Sequence, residues 1–287
     1  MTVELEGWTC VVTGATSGIG QEVARQLACR GARIFGVGRD TGRCAAAEQH
    51  IRMSAGNPSV EFFTADLSSL AEIRKLAAAI ARGGTAIDVL VNNAGMFTFE
   101  RKETVDGLEA QLAVNWLAPF MLTGLLLPQL LRAPRSRVVT VSSGSHLSGT
   151  MHWSDLGLKR GYRGLKAYCQ SKLAEVLFTY ELARRIGKSR TPTAHAVDPG
   201  LVKTQIAAKG NNRLVRIAWS LRTRQGITPS QAARSVAWCA VEPSVGGSTG
   251  LYWKGCKVQD SSPESHDPEA ARMLWEIGEK LCGVRYP

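Results

Sequence analysis

The sequence Thr13-Gly14-Ala15-Thr16-Ser17-Gly18-Ile19-Gly20 lies between two different local patterns. The apolar run Cys10-Val11-Val12 before it predicts a buried strand, and the amphipathic spacing of residues 21–30 predicts a helix. A glycine-rich turn between a strand and a helix directs backbone N–H groups and the positive end of the helix to one point, which suits a pyrophosphate. A plain turn is the alternative, but the flanking strand and helix favour nucleotide binding.

Five positions of this turn are predicted to contact the nucleotide. Gly14 permits the tight turn, Gly18 lets the phosphates approach the backbone, and Gly20 lets the helix pack closely on the strand. Ser17 and Ile19 flank Gly18 where the helix begins, so they belong to the same predicted cofactor site.

A second apolar run, residues 32–38, ends at Arg39-Asp40. An acidic residue at the end of this strand would bind the ribose 2′-hydroxyl of NAD, whereas an arginine accommodates the 2′-phosphate of NADP. Because Arg39 lies nearer to the strand end than Asp40, the sequence favours NADP(H) over NAD(H). An ordinary surface cation is the alternative interpretation of Arg39.

Strand and helix patterns alternate along the rest of the chain. Strands are predicted at residues 60–64, 87–91, 138–141, 193–197 and 250–253, and helices at residues 41–54, 70–82, 106–131, 165–187, 230–241 and 268–282. This alternation predicts an α/β fold with a parallel sheet covered by helices on both faces. No repeat or linker divides the chain, so residues 1–287 are predicted to form one domain.

The ends of the third and fourth strands add residues to the predicted crevice. Asp66 and Leu67 follow the third strand, where a side chain can reach an adenine ring; capping of the next helix is the alternative role for Asp66. Asn93, Ala94 and Gly95 follow the fourth strand, and their small and amide side chains suit the floor of a cofactor crevice. A simple Asn-rich turn is the alternative there.

Composition narrows the classes of partner. The net charge is +11, and residues 201–241 contain seven basic residues but no Asp or Glu. A solvated helix face, a phosphate contact and a membrane-surface contact all remain open for this basic segment. Nucleic-acid binding is not expected, because residues 201–226 contain Trp219 as their only aromatic side chain.

The cysteines and the apolar runs predict a cytoplasmic protein. The seven cysteines are dispersed without a CxxC pair or neighbouring histidines, which indicates reduced thiols and no metal site. The N-terminus carries Glu4 and Glu6 and no apolar core, so we expect no signal peptide. The longest apolar run, residues 120–131, contains Thr123, Gly124 and Pro128 and is predicted to be too short to span a bilayer.

Three side chains are predicted to meet at the carboxyl edge of the sheet. Ser143 ends the fifth strand, and Tyr168 and Lys172 lie one helical turn apart on one face. A phenol has a pKa near about 10, and a nearby ammonium favours the phenolate, so Tyr168 can serve as an acid and base towards a carbonyl or alcohol. Ser143 lacks the GxSxG pattern of serine hydrolases.

These motifs together resemble the classical short-chain dehydrogenase/reductase family over nearly the whole chain. The matching segments are residues 13–20 (TGATSGIG), 92–95 (NNAG), Asn115, Ser143, residues 168–172 (YCQSK), Pro199-Gly200 and Thr204. The resemblance implies a single-domain Rossmann fold with seven parallel strands in the order 3-2-1-4-5-6-7. It also implies cofactor contacts from Tyr168, Lys172, Pro199, Gly200, Val202 and Thr204.

The family resemblance further implies a catalytic tetrad. Ser143 would orient the substrate, Tyr168 would act as acid and base, and Lys172 would bind the nicotinamide ribose and lower the pKa of the phenol. Asn115 would hold a water for proton relay; from the residues alone, a buried structural amide is equally open.

The segment between Ser143 and Tyr168 is extended, with an insert at about residues 144–164. Together with YCQSK, it resembles the retinol dehydrogenase-like branch, although the apolar N-terminal anchor of its membrane-bound members is not matched. The resemblance implies an NADP(H)-dependent oxidoreductase for a lipophilic carbonyl or alcohol. Reduction of a C=C bond, as in protochlorophyllide reductases, and a non-catalytic cofactor-binding scaffold or redox sensor are the alternatives.

The insert and a segment at about residues 201–226 are predicted to flank the substrate pocket. The apolar stripe of the second segment predicts a mobile lid over a hydrophobic substrate, with ordinary helix packing as the alternative. The basic side chains of this segment allow a peripheral membrane contact. The protein is expected to be a monomer or a homodimer. His146 and His152 are either substrate contacts or bystanders, and Cys169 lies off the face of Tyr168 and is given no catalytic role.

Overall fold

The computed structural model describes residues 4–187, 191–202 and 226–286. In these residues eight strands form one sheet in the order β3-β2-β1-β4-β5-β6-β7-β8. The strands are β1 (Thr9–Thr13), β2 (Arg33–Gly38), β3 (Val60–Thr64), β4 (Val89–Asn92), β5 (Arg137–Val141), β6 (Thr193–Asp198), β7 (Leu251–Lys254) and β8 (Lys257–Val258). The longer helices are α1 (Gly18–Ala28), α2 (Thr41–Ala55), α3 (Leu70–Ala81), α4 (Ala110–Arg132), α5 (Gly164–Ile186), α6 (Pro229–Val241) and α7 (Pro268–Cys282).

Two apolar cores lie on opposite faces of the sheet. Along β1, Val11 belongs to one core, whereas Cys10 and Val12 belong to the other, as the alternation of side chains in a strand requires. Buried side chains of α3, α4, α5 and α7 fill the first core, and those of α1, α2 and α6 fill the second. The predicted α/β fold with helices on both faces is confirmed.

The sheet has one strand more than predicted. The first seven strands pair in parallel in the predicted order, and β8 pairs antiparallel with β7. Gly255 and Cys256 connect these two strands and both have positive φ, of 56° and 62°, which is the conformation of a two-residue hairpin turn. The prediction missed β8 because two exposed residues show no apolar alternation.

Helix α4 corrects the prediction that the apolar run is too short to span a bilayer. The helix is 23 residues long and continues through Pro119 and Pro128, so its length and composition would suffice for a membrane span. However, 83% of its apolar window is buried inside the protein, where Phe120 and Trp116 are fully covered. Its apolar character therefore matches a core helix.

Of the two segments predicted to flank the pocket, the insert lies within the described residues and most of the predicted lid does not. The insert after β5 contains the short 3-10 turns Gly144–Ser148 and Trp153–Asp155. The predicted lid lies outside the described residues except for Leu201, Val202 and residue 226. After it, α6 begins as its sequence predicts, with Thr228 as the N-cap in a capping box with Gln231 and Pro229 as the first residue.

Candidate active site

The glycine-rich turn forms a narrow cradle of backbone at the carboxyl end of β1. Gly14 has φ of +67°, and a Cβ there would lie 2.9 Å from Ala94 Cα. A Cβ on Gly20 would collide with Gly14 O and the Asn93 side chain, so only glycine lets α1 begin this close to the turn. Gly18 has φ of +60° and faces open space. This cradle fits the pyrophosphate of a dinucleotide.

Hydrogen bonds between the end of β1 and the residues after β4 hold the cradle in place. Thr13 Oγ1 accepts hydrogen bonds from Asn93 N and Ala94 N, both at 3.0 Å, and Asn93 Nδ2 donates to Thr13 O at 2.8 Å. Asn93 thus fixes the cradle itself. Ser17 is the exposed N-cap of α1, and its hydroxyl makes no cap hydrogen bond within the described part of the chain, which leaves it free for an anion.

The two candidates for the ribose at the end of β2 differ in their surroundings. Arg39 is exposed and has no ion pair among residues 4–187, 191–202 and 226–286. Asp40 is the N-cap of α2, and its Oδ1 accepts a hydrogen bond from Arg43 N at 2.8 Å. The carboxylate is therefore already engaged by the helix, whereas the guanidinium is not engaged by the described protein.

The residues after β3 make mostly local contacts. Asp66 Oδ1 accepts hydrogen bonds from Ser68 N at 2.9 Å and Ser68 Oγ at 2.8 Å, while Ser69 is the N-cap of α3. Leu67 is partly buried against the first core. Their predicted contacts with the adenine ring stay predictions.

Ser143, Tyr168 and Lys172 converge at the ends of β5 and its neighbours. Tyr168 is half-buried on α5, and Lys172 Nζ lies 5.6 Å from the centre of its ring. Burial raises the pKa of the Tyr168 phenol, whereas the Lys172 ammonium and a hydrogen bond with Ser143 lower it. The net direction is upward, so the expected lowering of the phenol pKa by Lys172 is present but is outweighed by burial.

Lys172 is itself held by a carboxylate that sequence reasoning missed. Its Nζ donates to Glu175 Oε1 at 2.8 Å and to Val141 O at 3.1 Å, and both side chains are buried. Burial alone would lower the pKa of Lys172, but Glu175 and Tyr168 raise it above its ordinary value. Burial raises the pKa of Glu175 to about 7 against the opposing effect of Lys172. The signal in the sequence is the i, i+3 spacing of the two charges.

Asn115 lies in a π-helical part of α4, Ala113–Leu117. Its Oδ1 accepts from Met96 N at 2.8 Å, and its Nδ2 donates to Ser171 Oγ at 2.8 Å and to Met96 O at 3.1 Å. The side chain therefore joins α4, α5 and the segment after β4. A Cβ on Gly95 would lie 3.4 Å from Asn115 Oδ1 and 3.7 Å from Lys172 Nζ, so the predicted crevice floor borders both groups.

The insert is tied to α5 by the middle residue of the YCQSK motif. Gln170 Oε1 accepts from His152 N at 2.9 Å, and Gln170 Nε2 donates to Leu156 O at 2.8 Å. His146 is fully buried between Ser143 O at 2.8 Å and Ser262 N at 3.1 Å, and burial lowers its pKa. His146 is therefore a support for the Ser143 loop, and Gln170 is a support that the sequence analysis missed.

The predicted contacts after β6 form a sharp turn. Gly200 N donates to Asp198 Oδ1 at 2.9 Å across Pro199, and Gly200 has φ of +84°. Val202 is buried and bridges to Ile227. Thr204 lies outside the described residues.

An aromatic pair lies on one side of Tyr168. The Phe97 ring packs edge-on against the Tyr168 ring at 5.4 Å, and Phe99 packs on Phe97 at 4.6 Å. Leu165 is largely exposed on the helix turn before Tyr168. Large apolar groups on this edge of the sheet are suited to a lipophilic ligand.

Comparisons with known proteins agree with this geometry. The family described as short chain dehydrogenase matches residues 9–214. Human retinol dehydrogenase 13 is 38% identical over 99% of this chain and 87% of its own length, and human retinol dehydrogenase 12 is 36% identical over 99% and 89%.

Solved structures show the same architecture. An uncharacterised protein from Mycobacterium paratuberculosis superposes with a TM-score of 0.80 at 33% identity, covering 99% of this chain and 96% of that one. The NADP complex of Pseudomonas aeruginosa RhlG gives a TM-score of 0.67 at 26% identity, covering 88% and 95%. The chain therefore belongs to the short chain dehydrogenase family of oxidoreductases, in its retinol dehydrogenase-like branch.

Proposed function

We propose that this protein is an NADP(H)-dependent enzyme that interconverts a lipophilic aldehyde or ketone and the corresponding alcohol. The observation that carries the proposal is the surroundings of Tyr168, whose phenol hydrogen-bonds Ser143 and whose ring lies 5.6 Å from Lys172 Nζ and packs on Phe97. The names of the retinol dehydrogenase relatives support an alcohol or aldehyde on an apolar skeleton as the substrate.

The chemistry divides between the cofactor and the chain. The nicotinamide supplies or accepts the hydride. Ser143 and Tyr168 hydrogen-bond the carbonyl oxygen, and Tyr168 donates its proton as negative charge develops there. Lys172 stabilises the resulting phenolate from within the buried pair, and the same groups work in reverse on an alcohol. Asn115 keeps Met96 and Ser171 in place, and we propose that it also holds the water of a proton relay.

The preference for NADP(H) is proposed from the end of β2. Arg39 is exposed where the 2′-phosphate would lie, and Asp40 is engaged in capping α2. The NADP complex of RhlG supports the same cofactor class. The basic segment at residues 201–226 is proposed to contact the substrate or a membrane surface.

The test is Tyr168→Phe, assayed by loss of NADPH absorbance with a panel of long-chain, polyene and aromatic aldehydes and ketones. Removing the acid should lower turnover by about a hundredfold or more, while NADPH binding followed by fluorescence stays close to the wild-type affinity. Tyr162→Phe is the matched control, because the Tyr162 hydroxyl in the insert donates to Glu109 and accepts from Gln111 at the start of α4, so its loss should leave turnover largely intact. Normal turnover by Tyr168→Phe would remove the proposed acid and base.

A further inference from the structure

A buried carboxylate shares the cation on which the proposed acid and base depends. Glu175 and Lys172 are 1% and 5% exposed, and their ion pair at 2.8 Å lies one turn beyond Tyr168 on α5. Val141 O at the end of β5 holds the same ammonium at 3.1 Å. The Tyr168 phenol is therefore affected by the positive charge of Lys172 and the negative charge of Glu175 together.

The groups around this pair come from every neighbouring strand. Directly after β5, the Ser142 hydroxyl donates to Lys172 O and lies near enough to Glu175 to lower its pKa. On β6, Asp198 adds to the field at Lys172 and is itself paired with Lys254 at 3.1 Å. On β7, Tyr252 is buried, and burial with the charges of Asp198 and Glu175 raises its pKa.

We propose that Glu175 is a positioning residue that tunes the proton affinity of Tyr168 by holding Lys172 against β5 and offsetting part of its charge. The inference rests on the proposed role of Tyr168 as acid and base. An ionised Glu175 opposes the effect of Lys172 on the phenol, so it disfavours the phenolate, and a neutral group in its place removes that opposition while Lys172 keeps its proton.

The test is Glu175→Gln, which removes the charge but keeps an oxygen that can accept from Lys172 Nζ. Tyr168 is titrated by the ultraviolet absorbance of its phenolate, taken as the difference between each protein and its Tyr168→Phe counterpart. We expect Tyr168 in Glu175→Gln to ionise about one pH unit lower than in the wild type. The pH profile of alcohol oxidation should move in the same direction.

Glu181→Gln is the matched control on the same helix. Glu181 is also buried but pairs with Arg184 and Arg185, both at 2.8 Å, and should leave the titration of Tyr168 unchanged. Glu175→Asn replaces Glu175→Gln if circular dichroism shows that the glutamine variant does not fold. An unchanged titration in the folded Glu175 variant would overturn the inference. If the titration is unchanged but Tyr168→Phe is inactive, the proposed function stands and only the role of Glu175 is wrong. If Tyr168→Phe is active, both the role of Glu175 and the proposed function are wrong.

Discussion

The cradle and the proposed catalytic group occupy the same edge of the sheet, but close backbone packing dominates the first and a buried ion pair the second. The cradle, residues 13–20 with Asn93 and Ala94, combines the hydrogen bonds between Thr13 and Asn93 with close backbone packing that leaves no room for a Cβ at Gly14 or Gly20. The proposed catalytic group, Ser143, Tyr168, Lys172 and Asn115, together with the positioning residue Glu175, contains side-chain hydrogen bonds and a buried ion pair.

This difference separates two kinds of sensitivity. Steric repulsion rises steeply with overlap, so the cradle should respond to added volume. Buried hydrogen bonds and charges respond to the loss of a partner, because the group left behind remains desolvated. The cradle should therefore be disrupted by added volume, as in Gly20→Ala, and the proposed catalytic group by the loss of a hydrogen-bond partner, as in Asn115→Ala.

The largest effect is expected for Gly20→Ala. The new methyl group would overlap Gly14 O and the Asn93 side chain, so α1 must move away from the turn. We expect a loss of about 3 kcal/mol in the free energy of unfolding, measured by urea denaturation, and loss of measurable NADPH binding. Gly42→Ala is the control, because the nearest atom to its Cβ is Asp40 Oδ1 at 3.5 Å, and it should be neutral or slightly stabilising. Equal effects would mean that the cradle is not sterically closed.

The same difference explains what could be predicted from the sequence. The close packing at Gly14 and Gly20 follows from residue type and a strand-turn-helix pattern within a few positions, whereas the order of the first seven strands was implied by the family resemblance. Glu175 was missed because its i, i+3 spacing from Lys172 does not by itself mark a buried ion pair, and Gln170 was missed because nothing local marks it as bonded to the insert. The direction of the Tyr168 pKa was missed because burial is a property of the packed core.

Asn115→Ala tests the catalytic group by removing partners without adding volume. The substitution leaves Met96 N and Ser171 Oγ without the amide, so we expect a loss of about 2 kcal/mol of stability and a fall of about tenfold or more in turnover.

Asn57→Ala is a matched control for Asn115→Ala at the opposite edge of the sheet. Asn57 is also buried and makes three bonds, donating to Ala28 O and Ala32 O at 2.9 Å and accepting from Ser59 N at 2.8 Å. Thermal unfolding should show similar losses for both variants, while steady-state assays of the folded proteins show lowered turnover for Asn115→Ala alone. Normal turnover in folded Asn115→Ala would show that this amide does not contribute to catalysis.

The smallest effect is expected for Arg39→Ala. This side chain takes part neither in the close packing of the cradle nor in the buried hydrogen bonds of the proposed catalytic group. Arg39 is exposed at the end of β2, so its removal should leave the unfolding midpoint unchanged. We expect NADPH affinity, measured by calorimetry, to fall about tenfold while NADH affinity is retained, because only NADPH carries the 2′-phosphate that a guanidinium can bind. Arg43→Ala removes an exposed cation from the first turn of α2 and should change neither affinity. Equal losses for both cofactors would show that Arg39 acts through the shape of the cradle and does not select NADPH through its 2′-phosphate.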